Sequence, residues 1–464
     1  MSASSGSAAA SVLAELRAGR IASSQLVDDY LTRIEAVDAE LRSFVTVTAD
    51  EARAQAEQAD AERESGRPVG PLHGLPVALK DNIATAGVRT TMGSSFFSEH
   101  VPEQDAPVWS RMREAGAVLL GKTQLHEFAY GATTQNPHHG ACRNPWNTDR
   151  TPGGSSGGSG AATGADLCAV ALGTDTGGSV RIPASLNGAS GIRPTLGRVS
   201  NSGVFHVSWS FDTVGPLARS LADLAAVFDV MAGYDPADPM SINRQAAGLV
   251  DALERGAEGI RVGIPSSFFF DDLDSDIASA VRAAADELSA AGLSVESIDV
   301  PGAEDAVETC SRVIWAEATA IHADRMEHNP DGFGDDVRKR LAFGHKVSGP
   351  EYAQCVESAR RWRRTLETVF ESVDVILSPM NCVVAPPADA EMIETTKRLT
   401  RLTYGWSLAG LPAISVPCGL SGDGLPIGLQ LAAAPWREAD LISVAATYQD
   451  RTGWHEALPP LLAR

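Results

Sequence analysis

Residues 75–83 read Leu-Pro-Val-Ala-Leu-Lys-Asp-Asn-Ile, an apolar run of strand length that ends in a charge. Ala106–Ala115 carries helical spacing, and Ala117–Leu120 is a second short apolar run closed by Gly121. Buried strands flanking a helix in this way read as a β-α-β unit. The same alternation continues outward. Leu167–Leu172 is a further strand candidate, and Ile260–Ile264, a helix over about 275–291 and Val295–Val300 form a second βαβ unit. A long helix covers roughly 350–371; Val373–Leu377, Ala413–Val416 and Ile427–Leu431 read as strands, and 437–450 as a closing helix. The pattern predicts an α/β fold built on a large, mixed, mostly parallel β-sheet with helices on both faces.

Upstream, Leu13, Leu16, Leu26, Tyr30, Leu31, Ile34 and Val37 recur at three- and four-residue steps, so residues 10–64 read as helical, with Ser23 or Ser24 as cap. A single domain over 1–464 is expected: N-terminal helices 10–64, a core from 65–220 and 370–455, and a covering layer at 220–370. The chain has 464 residues, 44% of them hydrophobic, enough for a substantial core. Its formal charge is −21, which repels phosphate backbones and anionic membranes, so no nucleic-acid or membrane partner is expected. Six cysteines form no C-x-x-C pair and no zinc spacing, as for thiols in a reducing compartment. The first residues lack a basic stretch followed by an apolar one, and no run of about 18 apolar residues exists. A cytoplasmic location is expected.

Two glycine-serine segments interrupt this pattern: Thr151-Pro-Gly-Gly-Ser155-Ser156-Gly-Gly-Ser-Gly160 and Gly173-Thr-Asp-Thr-Gly-Gly-Ser179-Val-Arg-Ile-Pro183. Glycines let a backbone aim several N–H groups at one point, where a serine can attack while the amides hold the developing oxyanion. A flexible linker fits poorly, because Pro152, Asp175, Arg181 and Pro183 punctuate the segments. A nucleophilic serine needs a base. None of the ten histidines stands in a telling pattern, whereas Lys80 directly follows an apolar strand, where desolvation favours a neutral amine. The G-x-S-x-G matches around Ser155 and Ser156 follow Asn144–Pro152, which is no strand, against an α/β-hydrolase elbow. Neither loop continues as a phosphate-binding G-K-[ST].

Taken together, Gly74-Leu-Pro-Val-Ala-Leu-Lys80-Asp-Asn-Ile, Gly153-Gly-Ser-Ser-Gly-Gly158 and Gly173–Pro183 resemble the amidase-signature family, as do Arg143-Asn-Pro-Trp146, Leu411–Pro417 and Gly424–Gln430. The resemblance implies a Ser-cisSer-Lys triad: Ser179 as nucleophile, Ser155 as bridging serine after a cis bond from Gly154, and Lys80 as base. It further implies an oxyanion hole from the amides of Thr176, Gly177, Gly178 and Ser179, support from Ser156, Asp175 and Arg181, and no metal or organic cofactor. By position, Ala129, Tyr130 and Gly131 should border the acyl site, with Phe205 and Trp209 as further walls. Trp315, Met92–Phe97, Met380–Cys382, Tyr404–Trp406, His138 and His139 are other candidates.

These aromatics suggest an apolar or aryl substrate. The expectation is therefore a stand-alone amidohydrolase cleaving amides, anilides or carbamates of small molecules, of the aryl acylamidase or urethanase kind, and a homodimer, as family members often are. The alternative is the glutaminase subunit of a tRNA-dependent amidotransferase. There, an acidic residue holding the glutamine α-amino group lies shortly before Leu-Ala-Gly-Leu-Pro, whereas residues 395–407 here contain no Asp or Glu.

Overall fold

The computed structural model describes residues 11–245 and 247–463; the reading of the first ten residues falls outside them. Thirteen strands follow one another: β1 (Phe44–Val47), β2 (Pro76–Lys80), β3 (Val118–Thr123), β4 (Gln135–Asn136), β5 (Gly140–Ala141), β6 (Val170–Thr174), β7 (Ser190–Arg193), β8 (Val214–Ala218), β9 (Arg261–Pro265), β10 (Ser294–Ile298), β11 (Val375–Pro379), β12 (Ala413–Leu420) and β13 (Pro426–Ala433). Eleven of them make one sheet in the order β1-β3-β2-β6-β8-β7-β12-β13-β11-β9-β10, while β4 and β5 pair separately. The expected single-domain α/β fold with a large mixed sheet is present. Its ladders are parallel at β2–β3, β2–β6, β11–β9 and β9–β10. From β6 through β8, β7, β12 and β13 to β11 they are antiparallel. A short turn between β12 and β13 can only return the chain antiparallel, whereas β2 reaches β3 through the helix Pro107–Glu114.

Helices cover both faces. Successive side chains of a strand point to opposite sides, and Val375 and Leu377 join one apolar cluster while Ile376 joins another. Leu431 and Ala433 against Ala432 divide the same way. The first cluster takes in the N-terminal helices with Leu221–Met231, Ser275–Ala290 and Glu438–Gln449; the second takes in Ala303–Ile321, Asp335–Gly344 and Gly349–Ser372. The last of these starts on a capping box, Ser348 with Glu351. Residues 220–370, expected as a covering layer, thus also supply β9 and β10 to the main sheet.

Two local expectations are corrected. The span 10–64 is broken by β1, whose Phe-Val-Thr-Val run suits a strand and pairs with β3. Neither Ser23 nor Ser24 caps the helix Ser23–Leu41, whose cap position is Ala22. Asp60, from the helix Ala49–Glu64, does that work by accepting from the amides of Ser23 (2.8 Å) and Ser24 (2.9 Å). A carboxylate beside a helix N-terminus meets both orphan donors and the dipole.

The first Gly/Ser segment leads into the helix Gly157–Gly164, entirely buried between strands and the helix Arg181–Leu186. A Cβ on Gly158 would lie 2.4 Å from the Gln124 amide nitrogen and 2.5 Å from the carbonyl oxygens of Gln124 and Ser43. That close approach admits no side chain. Gly158→Ala should therefore destabilise the fold by about 1–3 kcal/mol, read as a lowered urea midpoint at unchanged m-value; an unchanged midpoint would contradict the packing described.

Candidate active site

Lys80 closes β2, an interior strand of the sheet, and is fully buried. Its Nζ donates to Ser155 Oγ (2.7 Å) and Thr174 Oγ1 (2.7 Å), two neutral hydroxyls. Burial pushes its pKa down from 10.5 to about 7, against the raising pull of the Asp212 and Asp175 charges. Lys122, on neighbouring β3, is the useful contrast: also buried, it lies 3.6 Å from the Asp81 carboxylate and is lowered only to about 8. Lys122 donates to the Ile83 carbonyl (2.7 Å) and Thr90 Oγ1 (2.7 Å) and has the Asp81 charge close by to oppose its desolvation, whereas no carboxylate touches Lys80.

Ser155 follows a cis peptide bond from Gly154. The two glycine-serine segments are stitched together here. Ser156 N–H donates to the Ser179 carbonyl (3.3 Å), while Ser156 Oγ donates to Thr174 O (3.2 Å) and accepts from Thr174 N–H (3.2 Å). A Cβ on Gly173 would meet Ser156 Oγ at 2.7 Å, which is why a glycine ends the approach. Asp175 is buried and receives Arg181 through Nε (3.0 Å) and Nη2 (3.0 Å), and Arg193 through Nη1 (3.1 Å). Burial would raise its pKa, but Arg181 and Arg193 hold the carboxyl well below the usual range. Arg181 continues to Gln430 on β13 (2.7 Å) and to Ser407 (2.9 Å). The turn that carries Ser179 is thereby anchored to the far half of the chain.

Ser179 opens onto a cavity lined by Ala129, Tyr130, Gly131, Thr176, Gly177, Val207, Ile314, Trp315, Arg340, Thr396, Thr400 and Tyr404. The expected residues Ala129, Tyr130 and Gly131 therefore border it. Gly178 does not. Its N–H donates to Asp175 Oδ1 (2.8 Å) and is not free for an oxyanion, whereas the amides of Thr176, Gly177 and Ser179 have no partner among the described residues. Phe205 and Trp209 are corrected as walls. Phe205 packs against Phe97 and Phe128, with ring centroids 5.7 and 5.3 Å away, and Trp209 is 44% exposed. Phe205 thus belongs to an aromatic cluster with Phe97 and Phe128 instead of lining the site. Of the remaining candidates only Trp315 and Tyr404 reach the cavity. His138 pairs with Glu127 (2.7 Å) and His139 with Thr91 (3.2 Å).

Sequence reading missed Thr174, Asp212 and Arg340. Arg340 is the consequential one. It lies in the helix Asp335–Gly344, buried, with Nε to Asp336 Oδ2 (2.9 Å) and Nη2 to Thr396 Oγ1 (2.8 Å). The Asp336/Arg340 spacing of four on a helix was the available signal. Tyr130 also faces this cavity, and its buried hydroxyl has no hydrogen-bond partner among the described residues.

Taken with the family match, these features belong to a hydrolase acting on carbon–nitrogen bonds. The Amidase family model matches residues 25–442, and the chain belongs to that family. Its relatives include a glutamyl-tRNA(Gln) amidotransferase subunit of Synechococcus sp. (strain CC9605), 39% identical over 94% of each chain. The corresponding protein of Roseiflexus sp. (strain RS-1) is 39% identical over 96% of each. Among solved structures, a chain from a vestigial protein complex bearing on the origins of an s-triazine catabolic enzyme superposes with TM-score 0.91. It is 35% identical over 95% of this chain and 98% of that one. The glutamyl-tRNA(Gln) amidotransferase subunit of Thermotoga maritima superposes with TM-score 0.80, 31% identical over 94% of each chain.

These findings correct the expectation of a stand-alone amidohydrolase for apolar or aryl substrates without protein or nucleic-acid partners. Near-full-length relatives carry the name of one subunit of an enzyme of tRNA metabolism. The cavity itself is mixed: Tyr130, Trp315 and Tyr404 line it beside Arg340 and the hydroxyls of Thr176, Thr396 and Thr400. No helix of the described residues is long and apolar enough to cross a membrane.

As the base, Lys80 would set the pH response. A base lowered to about 7 is half neutral near neutrality, so turnover should rise with pH through about 7 and level above it. Lys80→Met should remove that rise and lower kcat/KM by at least ~10². A pH profile of kcat/KM on both proteins checks this, and a rise retained in Lys80→Met would assign the base elsewhere.

Proposed function

We propose that this chain is the amide-hydrolysing subunit of an amidotransferase of the glutamyl-tRNA(Gln) type, releasing ammonia from the side-chain carboxamide of glutamine for use by partner chains. The observation that carries this reading is Arg340, a cation lining the same cavity as Ser179. A guanidinium is suited to receive the substrate's carboxylate in a fixed orientation. The relatives' names point the same way. The acid missing from residues 395–407 is no bar to this reading: Thr396, Thr400 and Tyr404 reach the cavity from that stretch, and the unpartnered Tyr130 hydroxyl is a further hydrogen-bond group there. Anilide- or carbamate-cleaving specificity is set aside accordingly. A cytoplasmic location belongs to the same proposal; the six cysteines are free and buried, as expected of thiols in a reducing compartment.

In this reading neutral Lys80 takes a proton from Ser155 across the 2.7 Å contact. Ser155 in turn takes the proton of Ser179, whose Oγ attacks the carboxamide carbon. The amides of Thr176, Gly177 and Ser179 hold the tetrahedral oxyanion, each such donor being worth about 10²–10³ in rate. The proton returns through Ser155 to the leaving nitrogen, which departs as ammonia, and water hydrolyses the acyl ester by the reverse relay. Ser156, Asp175 and Arg181 keep the two loops in register. The whole chain, 1–464, acts as one domain in this scheme, the helices at 220–370 closing the cavity over the catalytic core.

Arg340→Gln should raise KM for glutamine by about 10–100-fold, the loss of a charged hydrogen bond, with less effect on kcat. Ammonia release by the chain, assayed alone and with the partner subunits of a relative, is the measurement. Equal KM in both proteins, or a preference for anilides over glutamine, would refute the assignment.

A further inference from the structure

One buried carboxylate near the site is left without a role by this scheme. Asp212 lies just before β8, 2% exposed, and both its oxygens are engaged. Oδ1 accepts from Thr176 Oγ1 at 2.5 Å. Oδ2 accepts from the amides of Val207 (2.8 Å) and Ser208 (3.2 Å) and lies 3.1 Å from His206 Nδ1. Asn201 Nδ2 holds the Asp212 carbonyl (2.8 Å). Thr176 and Val207 both line the Ser179 cavity, so a single carboxylate ties two of its walls together.

The charge at Asp212 also differs from that at Asp175. Two arginines contact Asp175, whereas the Asp212 carboxylate has only half-buried His206 as a cationic partner among the described residues. Arg193, which reaches the neighbouring Phe211 carbonyl, gives its charge to Asp175 instead. His206 faces Asp212, Asp238 and Glu317; burial opposes its protonation, but the Asp212 hydrogen bond and these charges raise its pKa on balance. Lys80 in turn feels Asp212 and Asp175. The geometry joins them: Thr213, next to Asp212, exchanges backbone hydrogen bonds with Asp175 (2.8 and 3.3 Å), and Thr174, next to Asp175, receives Lys80 Nζ (2.7 Å).

We propose that Asp212 is a positioning residue: it clamps the Thr176 hydroxyl at the cavity wall, and its charge, offset according to the protonation of His206, sets the field at Lys80. The inference rests on the reading of Lys80 and Ser179 as base and nucleophile. With His206 protonated, the Asp212 charge is largely matched and Lys80 loses its proton more readily; with His206 neutral, the unmatched carboxylate favours the lysine ammonium. Asp212→Asn keeps an oxygen for Thr176 and removes the charge, so the acid limb of Ser179 reactivity should move to lower pH. His206→Gln removes the offsetting cation, so the limb should move the other way. Thr176→Val should lower the rate and leave the limb in place.

The test is the rate of Ser179 phosphonylation by a fluorophosphonate probe as a function of pH, which needs no knowledge of the substrate. The expected shifts are about half a pH unit or more, downward for Asp212→Asn and upward for His206→Gln. Limbs that superpose on wild type in both variants would overturn the proposal. If Asp212→Asn does not fold, His206→Gln at its half-exposed position decides alone. Labelling that persists in Ser179→Ala marks a different failure, that of the nucleophile assignment itself.

Discussion

A lysine buried at the end of an interior strand, with hydroxyls for partners, is the constraint on which the rest of this structure depends. Moving its pKa from 10.5 to about 7 corresponds to roughly 5 kcal/mol against the ammonium form. A carboxylate in contact offsets part of such a shift, as Lys122 beside Asp81 illustrates. The surroundings of Lys80 must therefore exclude water and supply hydrogen bonds without supplying a contacting negative charge. Ser155 and Thr174 meet that demand, each delivered by one of the two glycine-rich segments.

Holding those segments is the task of the network centred on Asp175. It receives both Arg181 and Arg193, and Arg181 extends to Gln430 and Ser407. Buried ion pairs of this kind add little net stability, yet breaking one leaves an uncompensated charge and costs several kcal/mol. Their value lies in geometry: residues remote in sequence are fixed around one turn. The sheet order makes this possible, because β7, β12 and β13 lie beside one another, bringing the C-terminal strands against the loop that follows β6.

Much of this was legible from the chain. The apolar run ending in Lys80 and the two glycine-serine segments could be read locally, since burial and turn chemistry are written in adjacent residues. So could most strands, whose apolar runs fall within a few residues of their structural bounds. What escaped is non-local. Asp60 caps a helix from another helix, and Gly178 gives its amide to Asp175 rather than to a ligand. Arg340 sits in an ordinary-looking Asp-x-x-x-Arg helical pair, and only packing against Thr396 turns it into the wall of a cavity. Phe205 and Trp209 failed as substrate walls for the converse reason. Aromatic residues signal burial or contact of some kind, but which neighbour they meet is decided by the fold.

The central claim, that Ser179 is acylated by a carboxamide under the control of a neutral Lys80, has a direct physical record in the enzyme itself. Acid-quenching the protein during turnover of glutamine and mapping its peptides by mass spectrometry should find a glutamyl ester on Ser179. The adduct should accumulate at pH above 7 and be absent from Lys80→Met. An unmodified Ser179 with ammonia still released, or an adduct on another residue, would contradict the account.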